Sequence, residues 1–429
     1  MNQIEQQPIQ VLRGMRDSLP SEANHWSAIE NILKAWCVDY GYQRINLPII
    51  ESTQLFLRTL GETSDIVEKE MFTFTDTLNS KSVTLRPEGT ASCVRAVLNS
   101  HALRHQPMQR LWYYGSMFRH ERPQKGRYRE FCQIGLEALG MEGPDIDAEL
   151  ILMTKDLWQR LGILDNLVLQ INSIGTADER SAYRQALVDY LLPHCAQLDQ
   201  DSQRRLATNP LRILDSKDET TQALCQRAPR LMDYLGDRSL EHYHAWKKML
   251  DALQIHYVEN PNLVRGLDYY NFSVLEWVTT SKGAQNTVCA GGRYDQLMSQ
   301  LGGKATPAAG LAIGIERVLQ LVDHNNQWLA NIVPDIYLIQ KGEEASLHAL
   351  CIANTLRQAG YHVLQHMGQA KFAYQFKQAN LSGARFAIVL GEHEMAQHTV
   401  TIKPLLEAGK PQQTVQQTDL MTTLKALCT

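Results

Sequence analysis

Four arginines stand in surroundings that would otherwise be apolar or turn-forming. Arg119 precedes Glu121 at the end of a strand-like run, and Arg86-Pro-Glu-Gly-Thr90 lies at a strand-to-helix junction. Arg265 is embedded in Leu263-Val-Arg-Gly-Leu-Asp-Tyr-Tyr270, and Arg317 ends the glycine-studded Gly310-Leu-Ala-Ile-Gly-Ile-Glu-Arg317. A buried guanidinium is costly without an anionic partner. Either internal carboxylates pair each one, or Arg119, Arg265 and Arg317 together face a polyanion such as a nucleoside triphosphate, whose oxygens match the guanidinium fork. The twelve residues from Arg119 to Glu130 concentrate five Lys/Arg with two Glu. Their flanks, Gln109–Phe118 and Phe131–Glu137, read as strands, and Pro123 and Gly126 supply turn chemistry. The expected object is a hairpin with a cationic tip, which serves either as a solvated basic loop or as a site for a triphosphate or an RNA end.

The whole chain limits these readings. Its 429 residues carry a net charge of −4, so nucleic-acid contact must come from local patches and not from overall attraction. A hydrophobic fraction of 44% and a charged fraction of 21% are those of an ordinary globular protein, and the length suits two or three domains. The N-terminus lacks the cationic start and apolar core of a secretory signal. The apolar run Ala308–Ile315 stops at Glu316, far short of the roughly 20 residues that span a bilayer. A cytoplasmic protein without membrane contact is expected. The eight cysteines are scattered with no Cys-x-x-Cys pair, which indicates reduced thiols rather than disulfides or a zinc site. His393-Glu-Met-Ala-Gln-His398 has one residue too many for a zinc-protease helix and follows the strand-like Arg385–Leu390, so a loop is expected there. Gly302-Gly-Lys-Ala305 lacks the leading Gly and the Ser/Thr of a P-loop.

The elements that must position the arginines follow from periodicity. Trp26, Ile29, Leu33, Trp36 and Tyr40 recur at helical spacing from Glu22 to Tyr40. Tyr42–Ile50 reads as a strand that carries Pro48, and a proline in a strand requires an edge or a bulge. Met71–Phe74 and Ser82–Arg86 suggest a hairpin. Helices are expected over Gly89–Asn99, Asp147–Leu161 and Leu311–Val322. Strands are expected at Leu167–Asn172, Tyr257–Val258, Asn271–Val278 and Thr287–Cys289. Residues from about 177 to 254 are rich in Gln, Arg, Asp and Leu at helical spacing, an inserted helical module. From about Pro334 short strands alternate with helices (Asp335–Gln340, Ala345–Ala359, His362–Gln365, Phe372–Ala379, Phe386–Leu390, Val400–Lys403), a compact α/β unit. The larger body reads as α+β.

On these residues the chain resembles the class II aminoacyl-tRNA synthetases, and specifically the histidyl-tRNA synthetases. Tyr40–Ile50 resembles the first class motif, Phe118-Arg-His-Glu121 through Phe131 the second, and Gly310–Arg317 the third. Arg265-Gly-Leu-Asp-Tyr-Tyr270 and Ala290-Gly-Gly-Arg-Tyr-Asp295 resemble the two histidine-specific signatures. The likeness runs from Arg13-Gly-Met-Arg-Asp17 to the C-terminal unit. One departure stands out: the class pattern has an acid four residues after Phe131, whereas this chain has Gly135 there and its acid at Glu137, as in the histidine branch.

The resemblance implies a class II antiparallel-sheet catalytic domain over residues 1–333, with the helical insertion at about 177–254, and an α/β anticodon-binding domain over 334–429. It implies that histidine is activated with ATP to histidyl-adenylate and passed to the 3′-terminal ribose of tRNA-His, by a homodimer built on the first motif. Arg119 and Arg265 would hold the α-phosphate and the histidine carboxylate, and Arg317 the γ-phosphate, with Mg²⁺ carried by the ATP phosphates and no protein metal site. Phe131 would stack on adenine with Glu121 at its amino edge, and Arg127 and Tyr128 would lie near the nucleotide. Glu137 and Tyr270, beside Tyr269, would select the imidazole; Glu88, Thr90 and Gln133 would receive the α-amino group. Arg122, Gln124 and Lys125 at the hairpin tip would face the tRNA acceptor end. Selection of an imidazole by paired polar groups is strong enough that no editing activity is expected. The rival is a non-catalytic relative, either a regulatory subunit of histidine biosynthesis or a sensor of uncharged tRNA.

Overall fold

The computed structural model describes residues 9–61, 64, 66–124, 126–216, 218–280, 287–323, 333–406 and 410–428. Among them the chain divides into two units, Met1–Trp328 and Leu329–Thr429.

The first unit is organised by an eight-stranded sheet. Its members are β1 (Gln43–Arg44), β5 (Gln109–Phe118), β6 (Glu130–Leu139), β7 (Leu167–Ser173), β8 (Val258–Glu259), β9 (Asn271–Thr279), β10 (Thr287–Arg293) and β11 (Ala308–Gly314). The intervening β2 (Ile50–Ser52), β3 (Phe72–Thr75) and β4 (Ser82–Leu85) form a separate three-stranded sheet in the order β2-β4-β3. The large sheet runs β1-β5-β6-β11-β10-β9-β7-β8; its six inner strands pair antiparallel, and the two-residue edge strands pair parallel. The expected hairpin is present: β5 and β6 pair from Gln109↔Leu139 to Phe118↔Glu130.

Helices Pro20–Asp39 and Pro144–Leu161 each begin with Pro in the first turn, where its missing N–H costs nothing. They bury Ile29, Leu33, Trp36, Leu150, Ile151, Leu157 and Trp158, and the Trp36 indole donates to the Met153 carbonyl at 2.8 Å. The insertion is helical as expected, with helices Ala177–Leu191, Gln200–Thr208, Glu219–Cys225 and Asp237–Ala252. Its first helix is held by a capping box between Thr176 and Glu179.

Three expectations about local structure are corrected. The single strand over Tyr42–Ile50 is two short strands, β1 and β2. The Leu47 and Pro48 carbonyls between them accept from the Arg86 guanidinium at 2.9 and 3.5 Å, so Arg86 interrupts the ladder there. The helix expected over Leu311–Val322 is the central strand β11 followed by the short helix Ile315–Leu319. Its small residues pack between neighbouring strands: a Cβ on Gly310 would lie 2.2 Å from Glu137 Oε2 and 2.4 Å from the Leu136 carbonyl. Glu392–Gln397 is a helix and not a loop, ended by His398 in the left-handed conformation (φ 52°). Its Glu394 is engaged by the Gly391 N–H at 3.0 Å and the Thr401 hydroxyl at 2.9 Å.

The second unit is a five-stranded sheet of β12 (Ile336–Gln340), β13 (Val363–Gln365), β14 (Phe386–Leu390), β15 (Thr399–Pro404) and β16 (Gln413–Gln416), in the order β13-β12-β14-β15-β16. The first three are parallel and the last two antiparallel. The buried Gln375 side-chain amide accepts from the Gln340 N–H at 3.0 Å and donates to the Gln340 carbonyl at 2.6 Å, which ties helix Phe372–Leu381 to the end of β12. The sequence reading did not anticipate β16 or the last helix, Leu420–Cys428.

One ion cluster pins helix Pro144–Leu161 to the sheet. Arg293, 1% exposed, donates to Asp147 from Nε at 3.2 Å and to the Gly143 and Met141 carbonyls at 2.7 and 3.0 Å; Ser273 donates to the other Asp147 oxygen. Arg293→Ala is expected to lower stability by about 3–5 kcal/mol, because it strands the buried Asp147 charge. The urea unfolding midpoint of the full chain checks this, and an unchanged midpoint would contradict it.

Candidate active site

Of the residues expected to act, Phe131, Gln133 and Glu137 stand on β6, and the other described ones lie on segments that border the sheet. Glu137 is fully buried in β6, opposite Gly310 of β11. Its carboxyl accepts from the Tyr113 hydroxyl at 2.9 Å and from the Tyr294 hydroxyl, with the Thr90 side chain as a further partner. Tyr113 reaches it by lying across Gly135, where a Cβ would fall 2.1 Å from the phenol ring. This explains the departure from the class pattern: an acid at position 135 would occupy the space of that ring. Burial pushes the Glu137 pKa from 4.5 to about 8, against the lowering effect of the hydroxyls.

Beside it Tyr269, Tyr270 and Tyr294 form a buried aromatic cluster, with ring centres 4.6 to 6.2 Å apart. Glu88 is buried at the start of helix Thr90–Ser100 and accepts from the Thr90 and Ala91 N–H groups at 2.7 and 2.9 Å. Burial raises its pKa, while those N–H groups and the charge of Arg119 pull it back. Gln133 of β6 has a buried Oε1 without a hydrogen-bond donor among the described residues.

The arginines converge by a different route. Arg265 forms an ion pair with Glu276 of β9 and sits 5.3 Å from the Tyr270 ring centre. Burial disfavours its charge, but the Glu276 carboxylate raises its pKa above the ordinary value. Its Nε is buried and without an acceptor among the described residues. Glu276 also accepts from the Thr287 hydroxyl at 2.9 Å, and Arg317 donates to the Thr287 carbonyl. Arg265 and Arg317 are thus joined through Glu276 and Thr287. Arg317 further donates to the Gly126 carbonyl at 3.4 Å, which brings the basic hairpin to the same place. Its pKa is lowered by burial and then by the charges of Arg119 and Arg127. Arg119 donates to the Pro87 carbonyl at 3.0 Å and lies 5.2 Å from the Phe131 ring centre.

Several expectations are altered by these contacts. Arg86 is bonded to the Leu47, Pro48 and Ser116 carbonyls and not to an acid, so it shapes the scaffold. Arg317 likewise donates to the Gly126 and Thr287 carbonyls. Glu121 pairs with Arg127 at 3.1 Å and with Arg119 at 4.0 Å. The Tyr128 ring lies 4.8 Å beneath Arg16, which also pairs with Glu22 at 2.9 Å. Arg122 and Gln124 are exposed at the hairpin tip, where the Gln124 and Arg127 backbones bond at 2.8 and 3.2 Å; Lys125 lies outside the described residues. The sequence reading missed Tyr113, Tyr294 and Glu276 as site groups. Tyr294 lies inside Ala290–Asp295 and was legible as a candidate, whereas Tyr113 and Glu276 look like ordinary members of alternating strands.

Residues 14–318 match the family profile described as histidyl-tRNA synthetase, and residues 335–427 that of an anticodon-binding domain. The chain is 56% identical to a histidine–tRNA ligase of Laribacter hongkongensis over 97% of its length and 98% of that protein's. It is 53% identical to one from Neisseria gonorrhoeae over 98% of both chains. The solved structure of apo S. aureus histidyl-tRNA synthetase superposes with a TM-score of 0.79 at 35% identity, covering 97% of this chain and all of that one. A mixed α/β body built on a mostly antiparallel sheet, followed by an anticodon-binding unit, makes this an aminoacyl-tRNA synthetase. Within that class the chain belongs to the histidyl-tRNA synthetase family.

The raised Glu137 pKa has a sign that can be tested. Between pH 4.5 and about 8 the folded state holds a proton that the unfolded chain has lost. This contribution to stability is therefore complete at low pH and is lost as pH rises through that window, with a slope of at most about 1.4 kcal/mol per pH unit. Glu137→Gln removes the slope. Unfolding midpoints of parent and variant from pH 5 to 8.5 should converge or cross as the parent weakens, and parallel curves would contradict the assignment.

Proposed function

We propose that this cleft activates histidine with ATP and transfers it to tRNA-His. A histidine carboxylate oxygen attacks the α-phosphorus, the bond to the β-phosphate oxygen breaks, and pyrophosphate leaves. A hydroxyl of the terminal tRNA ribose then attacks the adenylate carbonyl, and AMP departs. The observation that carries this reading is the pairing of two unlike sites. A neutral, hydroxyl-lined carboxyl pocket at Glu137 sits within the same sheet as an arginine array fixed by Glu276, Thr287 and Gly126.

The first site suits an imidazole, which offers one N–H donor and one acceptor when neutral. Glu137 and Tyr270, with Tyr269 behind them, contact it; Gln133 Oε1, Glu88 and Thr90 receive the α-amino group. The second site suits the phosphates. Negative charge grows at the α-phosphate during attack, and cations already in place stabilise it without reorganisation. Arg265 and Arg119 serve the carboxylate and α-phosphate, and Arg317 the γ-phosphate. Phe131 stacks on adenine, Glu121 meets its amino edge, and Arg127 and Tyr128 line the nucleotide's approach.

The family implies Mg²⁺. Phosphate oxygens are the hard donors this ion takes, so the ATP itself would carry it. When bound, the ion offsets charge on the outer phosphates. Residues 1–333 form the catalytic domain and 334–429 the domain that meets the anticodon. The hairpin tip, Arg122, Gln124 and Lys125, faces the acceptor end, and the segment near Tyr40–Ile50 joins two protomers. The role in translation suits work in the cytoplasm; no helix among the described residues is long and apolar enough to cross a membrane. The regulatory rival is disfavoured because Arg119, Arg265, Arg317, Glu88 and Glu137 are all present and the near-full-length relatives are ligases.

Histidine-dependent ATP–pyrophosphate exchange tests the reading; no exchange, or faster exchange with another amino acid, would overturn it. Arg265→Ala should lower kcat of exchange by about 10²–10³-fold and change the KM for ATP far less. An equal loss in ATP affinity with kcat intact would argue against the assigned role. Gln124→Ala should leave exchange at the parental rate and slow aminoacylation of tRNA-His, whereas a joint fall would place the tip elsewhere.

A further inference from the structure

The segment that delivers Arg265, Tyr269 and Tyr270 to the cleft is neither helix nor strand. It is anchored at its start, where the Asn260 N–H donates to the Ile171 carbonyl at 3.0 Å and the Asn172 side chain donates to the Leu263 carbonyl at 3.1 Å. It is anchored again just beyond its end, where Phe272 exchanges backbone bonds with Ile174 and Gly175 at 2.7 and 2.9 Å. From Val264 to Tyr270, however, the backbone makes only a turn at Asp268–Tyr269, and no backbone–backbone hydrogen bond ties it to another element among the described residues. A stretch without such bonds keeps its shape only through side chains and packing, and is otherwise among the first parts of a protein to open.

The helical insertion supplies that packing. Its Leu206, Ile213 and Leu214 share one apolar cluster with Leu263, Tyr269 and Tyr270, and Val264 and Leu267 lie against it. Arg212, on the 3₁₀ turn Pro210–Asp215, lays its guanidinium on Gly266; a Cβ there would meet Nη2 at 3.0 Å and Nη1 at 3.1 Å. Two residues on, Asp268 presses against Gly61 at the end of helix Thr53–Leu60, where a Cβ would fall 2.0 Å from Oδ2. Arg180, from the first insertion helix, donates to the Gly175 carbonyl at 3.0 Å, so it is fixed to the same backbone that pairs with Phe272. Burial raises the Asp268 pKa, and the charges of Arg212, Arg180 and Arg184 oppose that rise. Asp268 is thus a single carboxylate in the field of three insertion arginines, on the segment that also carries Arg265.

We infer that Asp268 is a positioning residue. With Arg212 and Arg180 it holds the segment 264–270 between the helical insertion and the end of helix Thr53–Leu60, in the shape that aims Arg265 and Tyr270 at histidine. The insertion is then a working part of amino-acid activation. The inference rests on the activation reading above for its kinetic consequence, but not for its structural one.

The test uses the full-length chain with Asp268→Asn, Asp268→Glu, Arg212→Ala and the Asp268→Asn/Arg212→Ala pair. In hydrogen exchange, amides of 264–270 should exchange roughly tenfold faster in Asp268→Asn and Arg212→Ala, with the thermal midpoint unchanged. In pyrophosphate exchange both variants should lose about 10–100-fold in kcat and raise the KM for histidine, with the KM for ATP within about twofold of parent, because a small misplacement of a positioned group suffices. Asp268→Glu should recover most of the rate, and the double variant should be little worse than either single one. Parental amide exchange at 264–270, an equal shift in the two KM values, or additive losses would overturn the inference. A parent without histidine-dependent exchange would sink the activation reading instead, and amide exchange would still decide whether Asp268 holds the segment.

Discussion

A carboxyl group placed in the middle of an eight-stranded sheet sets the terms for everything around it. Glu137 is fully buried and accepts from the Tyr113 and Tyr294 hydroxyls. A buried carboxylate surrounded by neutral donors is expensive, and the group responds by holding its proton to about pH 8. Its neighbours must be small enough to let the tyrosines reach it. Gly310 opposite it and Gly135 beneath the Tyr113 ring meet that demand, since a Cβ at either position would lie closer than 2.3 Å to another atom. These glycines stand on the adjacent strands β6 and β11.

The arginine array obeys the reverse rule. Here the groups stay charged, and the scaffold supplies acceptors without cancelling the charge. Arg317 and Arg119 donate to main-chain carbonyls, which orient a guanidinium while leaving its net charge intact. Two carboxylates also take part: Glu121 pairs with Arg127 and Arg119, and Glu276 both pairs with Arg265 and fixes Thr287, whose carbonyl holds Arg317. Burial lowers the Arg317 pKa, and the charges of Arg119 and Arg127 lower it further. Mutual repulsion among fixed cations is relieved when an anion arrives, which is the arrangement a triphosphate site requires. One sheet thus borders two groups on opposite electrostatic terms: an acid that burial holds neutral, and arginines held in place by carbonyls and by the Glu121 and Glu276 carboxylates.

The two sites differ in how they are held. Glu137, Gln133 and Phe131 stand on β6, a strand paired on both sides, and inherit their placement from its ladder. Arg265 and Tyr270 stand on an irregular segment and depend on what packs against it. The helical insertion, remote in composition from the sheet, shares its apolar cluster with that segment. Loops that carry chemistry must be positioned by a rigid frame, and here part of the frame is contributed by an inserted module.

Much of this was legible in the residues alone. The β5–β6 hairpin declared itself through strand-like flanks around a Pro/Gly-bearing basic turn. The insertion and the C-terminal α/β unit showed as changes in periodicity. Arg119, Arg265 and Arg317 were marked by charge in apolar company, a local property of sequence, whereas Glu137 was singled out only through the family resemblance. What the sequence alone did not disclose depends on partners far away in the chain. Gly310–Gly314 carries small residues at a spacing that fits a helix, and only the close approach of Leu136 and Glu137 makes it a strand. Arg86 looked like an anion ligand until carbonyls 30 and 39 residues distant claimed its donors. Tyr113 and Glu276 resemble any other strand residues, because what distinguishes them is the group each meets across the fold. Local patterning thus determined which elements form and where charge is concentrated. Tertiary packing decided which charges are neutralised, which are kept, and which glycines are obligatory, because burial and distance act between residues that no sequence window contains.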